Sequence, residues 1–284
     1  MLDWLQRVYD FLWGIPMITL LAGTGLYLTV SARFPQLRLF PKAFGLLGRK
    51  ESQGGITSFQ ALCTALAATV GTGNIVGVTG AICLGGPGAV FWMWLCGLLG
   101  MGTKFAEVTL ARRYRVLQNG EPVGGPMYMI TRGLPRKLHF LAPIYCAFGV
   151  IAAFGVGNAT QINAVVGAVN GLLSAFGGQE SFWGNLAVGL VLASAVGLVL
   201  FGGAKRIGAA AERMVPAASV GYVMLCVLVI FRGRERLPEA VRAIFVGAFR
   251  PRAVTGGCLG AAFGSLRTGC ARGIFTNEAG MGTA

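Results

Sequence analysis

Three polar clusters interrupt stretches otherwise built for hydrocarbon. The first is Gly71-Thr72-Gly73-Asn74, inside the segment 52–103, which contains no charged residue. Glycine weakens a helix by about 1 kcal/mol relative to alanine, and an asparagine in hydrocarbon is costly unless it is hydrogen-bonded. The pattern predicts that a membrane helix unwinds here and bares backbone groups, which is tolerated only against protein or a cavity. The amides opening the second half-helix, near Asn74, favour an anion such as a carboxylate. The carbonyls closing the first half, near Ala67 and Val70, suit a small hard cation. Gly73 and Gly77 also make a G-x-x-x-G pair, which close helix packing alone would explain. Thr72 and Asn74 are what packing does not require.

The second cluster, "GNATQINAVVGAVN", lies in 138–179, also free of formal charge. Asn158 and Gln161 stand three apart and share a helical face, while Asn163 points elsewhere. Neutral amides can orient a zwitterion without burying a net charge. Their competing use is bonding between helices, worth about 0.6 kcal/mol each. Asn163 fits either use, and Gln161 is the stronger ligand candidate. The third cluster is "TGGCLGAAFGSLRTGCARGIFTNEAG", where Gly256, Gly257, Gly260 and Gly264 punctuate an apolar run of about 14 residues before Arg267. A short, glycine-interrupted span late in a chain, matching an interrupted one early, points to an inverted repeat of the kind found in secondary transporters.

These clusters need helices that cross a bilayer. Of 284 residues 55% are hydrophobic and 12% charged, with a mean hydropathy of +0.67; soluble domains carry about 25% charged residues. Residues 11–30 give twenty consecutive uncharged positions, enough to span hydrocarbon as a helix. Apolar runs recur along the whole chain, so a cleaved signal does not account for them. Spans are expected at 11–30, 58–83, 88–111, 138–174, 184–203, 207–231 and 253–275. "GGPG" at 85–88 makes a tight link, and "RRYRVLQNGEPVGGP" a polar one rich in Gly and Pro. The stretch 138–174 reads as one long tilted helix, with two helices as the alternative. The fold class is all-α integral membrane protein, crossing the lipid bilayer several times.

The net charge is +14, and its distribution explains it. With the amino terminus outside, the links 31–57, 112–137 and 204–206 are cytoplasmic and hold five, six and two basic residues, as the positive-inside rule requires. No basic stretch alternates with aromatics, so nucleic acid is set aside as a partner. The segment 232–252 disagrees, being external by this count yet carrying six arginines. Leu237, Val241, Ile244, Phe245 and Ala248 share one face there, which suits a helix lying in the interface plane. Lys104 and Glu107, spaced i,i+3, are expected to pair and reach toward the headgroups, with a gating role as the sharper alternative. The seven cysteines form no C-x-x-C pair and read as small buried hydrophobes. His139, without a neighbouring carboxylate, reads as an interfacial residue.

The segments "FQALCTALAATVGTGNIVGV", "GGPGAVFWMW", "GTKFAEV", "GGPMYMI", "GNATQINAV" and "RGIFTNEAGMGTA" stand in this order along nearly the whole chain. They resemble the signature segments of the alanine or glycine:cation symporter family. The resemblance implies the five-plus-five inverted-repeat fold of the amino-acid/polyamine/cation superfamily, preceded by one extra helix. About the first seven transmembrane helices are present. It divides the chain into an extra helix with its basic link (1–57), a first repeat of five helices (58–231), an interfacial link (232–252) and the incomplete start of a second repeat (253–284). It implies transport of alanine or glycine with Na⁺ and no other cofactor, in the cell (inner) membrane. Gly71, Thr72, Gly73 and Asn74 then hold the amino acid, Gln161 lines the pocket, and the later break contributes around 256–261, including Gly257, Leu259 and Gly260. Family members commonly read "GGFAGA" where this chain reads "GGCLGA", so Leu259 replaces an aromatic and alters the pocket's shape. The backbone carbonyls of Ala67 and Val70 supply part of a Na⁺ site. The chain stops after "GMGTA", short of its family's full set of spans, and is expected to be a truncated product, with a fragment of a longer one as the alternative.

Secondary transport of a small neutral amino acid is the leading expectation. No carboxylate stands near the break for proton coupling. An enzyme would need a nucleophile with its base, or a metal cluster; one histidine and no grouped carboxylates argue against it. A passive channel would need rings of pore-lining groups. The remaining alternative is a partial protein of the same family without transport activity.

Overall fold

The computed structural model describes residues 2–47, 56–118, 121–249 and 260–282. Among the described residues, four helices are long and apolar enough to cross a membrane: Gly88–Arg113, Arg136–Ala175, Phe182–Leu200 and Gly203–Arg232. Ser58–Thr69 and Thr72–Gly85 pass the same test only when counted together, as a pair bent by 60° at its break. Bulky apolar side chains cover the outside, Phe201 being 94% and Phe176 84% exposed. Such a surface fits acyl chains and not water. The chain is a multi-pass, all-α membrane protein.

The helices follow the expected spans with instructive departures. The stretch 11–30 is not continuous, because α1 (Leu2–Leu12) ends before Gly14 and Pro16 opens α2 (Ile15–Ser31). Proline is favoured in a first turn, where its missing N–H has no helical partner to lose. Two short helices follow, α3 (Pro35–Arg38) and α4 (Phe40–Leu47). Next come α5 (Ser58–Thr69), α6 (Val76–Gly85) and α7 (Gly88–Arg113). The polar link beyond α7 contains an antiparallel hairpin, β1 (Val116–Gln118) and β2 (Glu121–Val123), with Val116 opposite Val123.

After α8 (Pro126–Gly133) the chain runs helically from Arg136 to Ala175, through α9 (Leu141–Ala152), a π-helical segment (Ala153–Ala159) and α10 (Thr160–Ala175). The long single helix is therefore the form observed, and the 40 residues extend about 60 Å at 1.5 Å per residue. α11 (Phe182–Leu200), α12 (Gly203–Arg232), α13 (Leu237–Phe249) and α14 (Gly260–Asn277) complete the order.

The chain forms two compact units. The first contains residues 1–47, 68–112 and 218–284. Its core is a seam of small residues between α2, α6, α7 and α14. Ile18, Cys96 and Cys270 pack together with Trp92 and Leu266, and Ala81, Ala89 and Met93 with Val78. A Cβ on Gly273 would stand 3.1 Å from Cys96 Cβ, and one on Gly25 would stand 3.0 Å from Leu99 O. Contacts this short let backbones touch, which is how membrane helices gain packing without a hydrophobic driving force. Ser265 Oγ donates to Gly85 O, tying α14 to the end of α6. α7 also holds α13: Trp92 Nε1 donates to Ala248 O at 3.2 Å, and the Phe91 ring meets those of Phe245 and Phe249 edge-on. Ala248, expected on the apolar face of 232–252, is thus buried against α7.

The second unit contains residues 48–67 and 113–217. α5 opens on a reciprocal capping box: Gln60 N donates to Thr57 Oγ1 and Thr57 N to Gln60 Oε1, each at 3.1 Å. This arrangement satisfies two amides that a helix start leaves bare. Gln60 Nε2 donates in turn to Glu212 Oε2 on α12 at 2.8 Å. His139 Nε2 lies 3.0 Å from Leu134 O and closes the turn ahead of α9.

Candidate functional site

α5 ends at Thr69, and Gly71 follows in an extended conformation (φ −138°, ψ −159°). Thr72–Asn74 form one 3₁₀ turn, and α6 begins at Val76. The amides of Asn74 and Ile75 bond to Gly71 O (3.1 Å) and Thr72 O (3.2 Å), three residues back instead of four. Helical winding is therefore lost where the glycines and polar residues predicted it. Asn74 Nδ2 donates to Thr69 O at 2.8 Å and occupies one of the carbonyls bared by the break. That bond uses one of the two N–H donors on Nδ2 and leaves Oδ1 able to accept. No side chain caps the start of α6, so its first amides remain free of side-chain acceptors and keep the partial positive charge of a helix start.

α14 lies against this break. Thr276 Oγ1 donates to Arg272 O at 2.6 Å and sits 3.5 Å from Gly73 O. A Cβ on Gly73 would meet Phe275 Cδ1 and Thr276 Oγ1 at 3.7 Å, and one on Gly77 would meet Thr276 Oγ1 at 3.9 Å. The break and the G-x-x-x-G packing are therefore both present. Beside Asn74 is a cavity of about 440 Å³ between α6, α7 and α14. Its lining is mostly apolar, including Met93, Trp94 and Met101, with Asn74, Thr276 and Asn277 as its polar side chains. This volume lies in the range of small-molecule sites, about 300–1,000 Å³.

Of the expected ligands, Gly71, Thr72, Gly73 and Asn74 form one continuous, half-buried stretch. Ala67, in the last turn of α5, and Val70, just past it, are exposed. Gln161 lies in the second unit, exposed on the first turn of α10. Asn158, expected to share its face, lies in the π segment and donates from Nδ2 to Ala153 O at 2.8 Å, serving the backbone there. Gly257 and Leu259 lie outside the described residues, as do Gly256 and Cys258; Gly260 is the first residue of α14. The sequence reading did not single out Thr276 and Asn277. Their signal was two adjacent polar residues closing an apolar helix, next to "EAG".

Comparison with known proteins identifies the family of the chain. The family model described as "Sodium:alanine symporter family" matches residues 1–284. The chain is 43% identical to the sodium/alanine symporter AgcS of Methanococcus maripaludis, over 98% of this chain and 61% of that protein. It is 39% identical to the putative sodium/proton-dependent alanine carrier protein YrbD of Bacillus subtilis, over 100% of this chain and 56% of that one. A probable sodium/glutamine symporter, GlnT of the same bacterium, is 39% identical over 97% of this chain and 55% of its own length. The chain spans about 60% of the length of the curated relatives it matches. With a family model matched from its first residue to its last, the chain belongs to the sodium:alanine symporter family.

Proposed function

We propose that the protein takes part in secondary active transport of a small neutral amino acid, alanine or glycine, coupled to inward Na⁺ movement across the cell membrane. The observation that carries this reading is the 3₁₀ interruption at Thr72–Asn74 in an otherwise charge-free span. The amides beyond the break attract the substrate carboxylate. Gly71, Thr72, Gly73 and Asn74 hold the amino acid, with Gln161 as an uncharged pocket residue and Gly257, Leu259 and Gly260 as the contribution of the later glycine cluster. The carbonyls of Ala67 and Val70 provide part of the cation's oxygen shell, since Na⁺ is a hard ion served by oxygen ligands. In this reading 58–231 forms the first repeat of a five-plus-five inverted fold, 253–284 begins the second, and 232–252 lies along the interface. The names of relatives carrying sodium with alanine, and in one case glutamine, support the ion and the substrate class.

The experiment is uptake of labelled alanine into cells or proteoliposomes, with Na⁺ present or replaced by choline. Accumulation against a gradient that collapses in choline is expected. Equal accumulation in both media would remove Na⁺ coupling, and no accumulation in either would remove transport by this chain. Competition by glycine, D-alanine and glutamine then ranks the substrates.

A further inference from the structure

The ion pair near the carboxyl end of α7 does more than face the headgroups. Lys104 Nζ and Glu107 Oε2 are 3.8 Å apart, and the two side chains are only 25% and 16% exposed. Both also reach the turn that follows α14. Lys104 Nζ donates to Glu278 O at 3.3 Å. Gly280 N donates to Glu107 Oε2 at 3.3 Å and Gly282 N to Oε1 at 2.8 Å, so each carboxylate oxygen takes one amide.

That turn needs holding. Its residues Glu278, Gly280 and Gly282 all have positive φ, 50°, 85° and 73°. The first is not a glycine, and such a residue in the left-handed region persists only where its surroundings fix it. On α7, Gly100, Thr103, Lys104 and Glu107 fall on one face, with the i, i+3, i+4, i+7 spacing of a stripe. A Cβ on Gly100 would stand 3.2 Å from Ala279 Cβ, and one on Gly280 would stand 3.4 Å from Thr103 Cγ2. The small residue seats the turn, and the charged pair then grips it. Two residues before the turn is Thr276, in contact with Gly73 at the break.

We propose that Glu107 is a positioning residue whose two-oxygen grip on Gly280 and Gly282 latches α14 to α7 and so holds Thr276 against the unwound segment at Gly73. Releasing the grip loosens the break; in a transporter this would regulate access to the substrate. That last consequence rests on the proposed function, whereas the latch itself does not.

The test is hydrogen–deuterium exchange of the full chain in nanodiscs, which needs no transport and so separates the two ideas. Failed uptake would sink the function and leave the exchange result standing. Glu107→Ala removes both acceptors. Glu107→Gln keeps the side chain's volume but has a single oxygen, so it can serve only one of the two amides. The expected result is at least tenfold faster exchange at 278–282 in Glu107→Ala, with faster exchange at 71–76 as well, and a smaller change of the same pattern in Glu107→Gln. Amides of α11 serve as the control and stay unchanged. Loosening of the turn without loosening of the break overturns the proposal, as does an unchanged turn. Faster exchange throughout, α11 included, would show general destabilisation and overturn it too. Where Glu107→Ala does not fold, the same outcomes are read from Glu107→Gln.

Discussion

Asn74 reaches back across the helix break and donates from Nδ2 to Thr69 O at 2.8 Å, so the residue that ends the 3₁₀ turn closes the helix before it. Asn74 also lines the cavity that Thr276 and Asn277 border. One side chain thus joins the stability of the break to its proposed use.

Replacing Asn74 by alanine separates these roles. A bared carbonyl at the break costs about 1–3 kcal/mol, which lowers the melting temperature by several degrees in a chain of this size. If Asn74 holds the amino acid as proposed, binding falls further, at least tenfold, because the ligand then loses Oδ1 as well. Asn74→Asp keeps an acceptor toward the ligand but has no N–H for Thr69. Scintillation-proximity binding and a thermal-shift assay, run on both variants, check the pair of effects. Wild-type affinity in Asn74→Ala would leave the residue purely structural.

Glycines at two positions should respond oppositely. A Cβ on Gly73 meets its neighbours at 3.7 Å, ordinary contact, so Gly73→Ala is expected to fold. Gly88 has no such room: a Cβ there would overlap the backbone of Gly247 and Ala248. Gly88→Ala is expected to reduce folded yield severely, by forcing α7 and α13 apart. Fluorescence-detected size-exclusion of tagged variants reads the difference.

The capping box at the start of α5 gives a prediction independent of transport. Thr57→Ala removes one reciprocal bond and should cost about 1 kcal/mol. Gln60→Ala costs more, because Glu212 Oε2 then loses the donor it has at 2.8 Å. The double variant should be less destabilised than the sum of the singles, since Thr57 and Gln60 bond each other. Melting temperatures of the four proteins close the cycle.

Gln161 is exposed on α10, so Gln161→Ala should leave the melting temperature within about 1 °C, as exposed substitutions usually do. If the residue lines the substrate pocket, amino-acid affinity nonetheless drops about tenfold or more, the loss of a hydrogen bond to a charged group being about 1.5–3 kcal/mol. Unchanged affinity would remove Gln161 from the site.

The break is legible in sequence because Gly71, Thr72, Gly73 and Asn74 each conflict with a helix in hydrocarbon, and four conflicts in a row point to one cause. The pairing of Lys104 with Glu107 follows from i,i+3 spacing, but its grip on Gly280 and Gly282 does not, since those residues are far along the chain. Thr276 and Asn277 escape notice because polar residues at the end of an apolar run look like the edge of the membrane. Other signals are present and local. Thr57 and Gln60 have capping-box spacing, and Asn119-Gly120 is a hairpin signature between strands that a polar link conceals. The division at Gly14 also has its marker in Pro16. Position 260 onward shows the later glycine cluster only in part, with Gly257 and Leu259 outside the described residues.

The π-helical segment at Ala153–Ala159 works as a phase adjuster for what comes after it. Its wider turns take up an additional residue, so α10 does not continue the angular order of α9. Gln161 comes two positions after the segment ends, and its compass direction around the axis is therefore set by that surplus. Rewinding the segment to plain α-helix with its length unchanged would swing Gln161, Asn163 and Asn170 together by about 100°, whereas deleting one residue there would restore α-helical bonding and leave all three facing nearly as before.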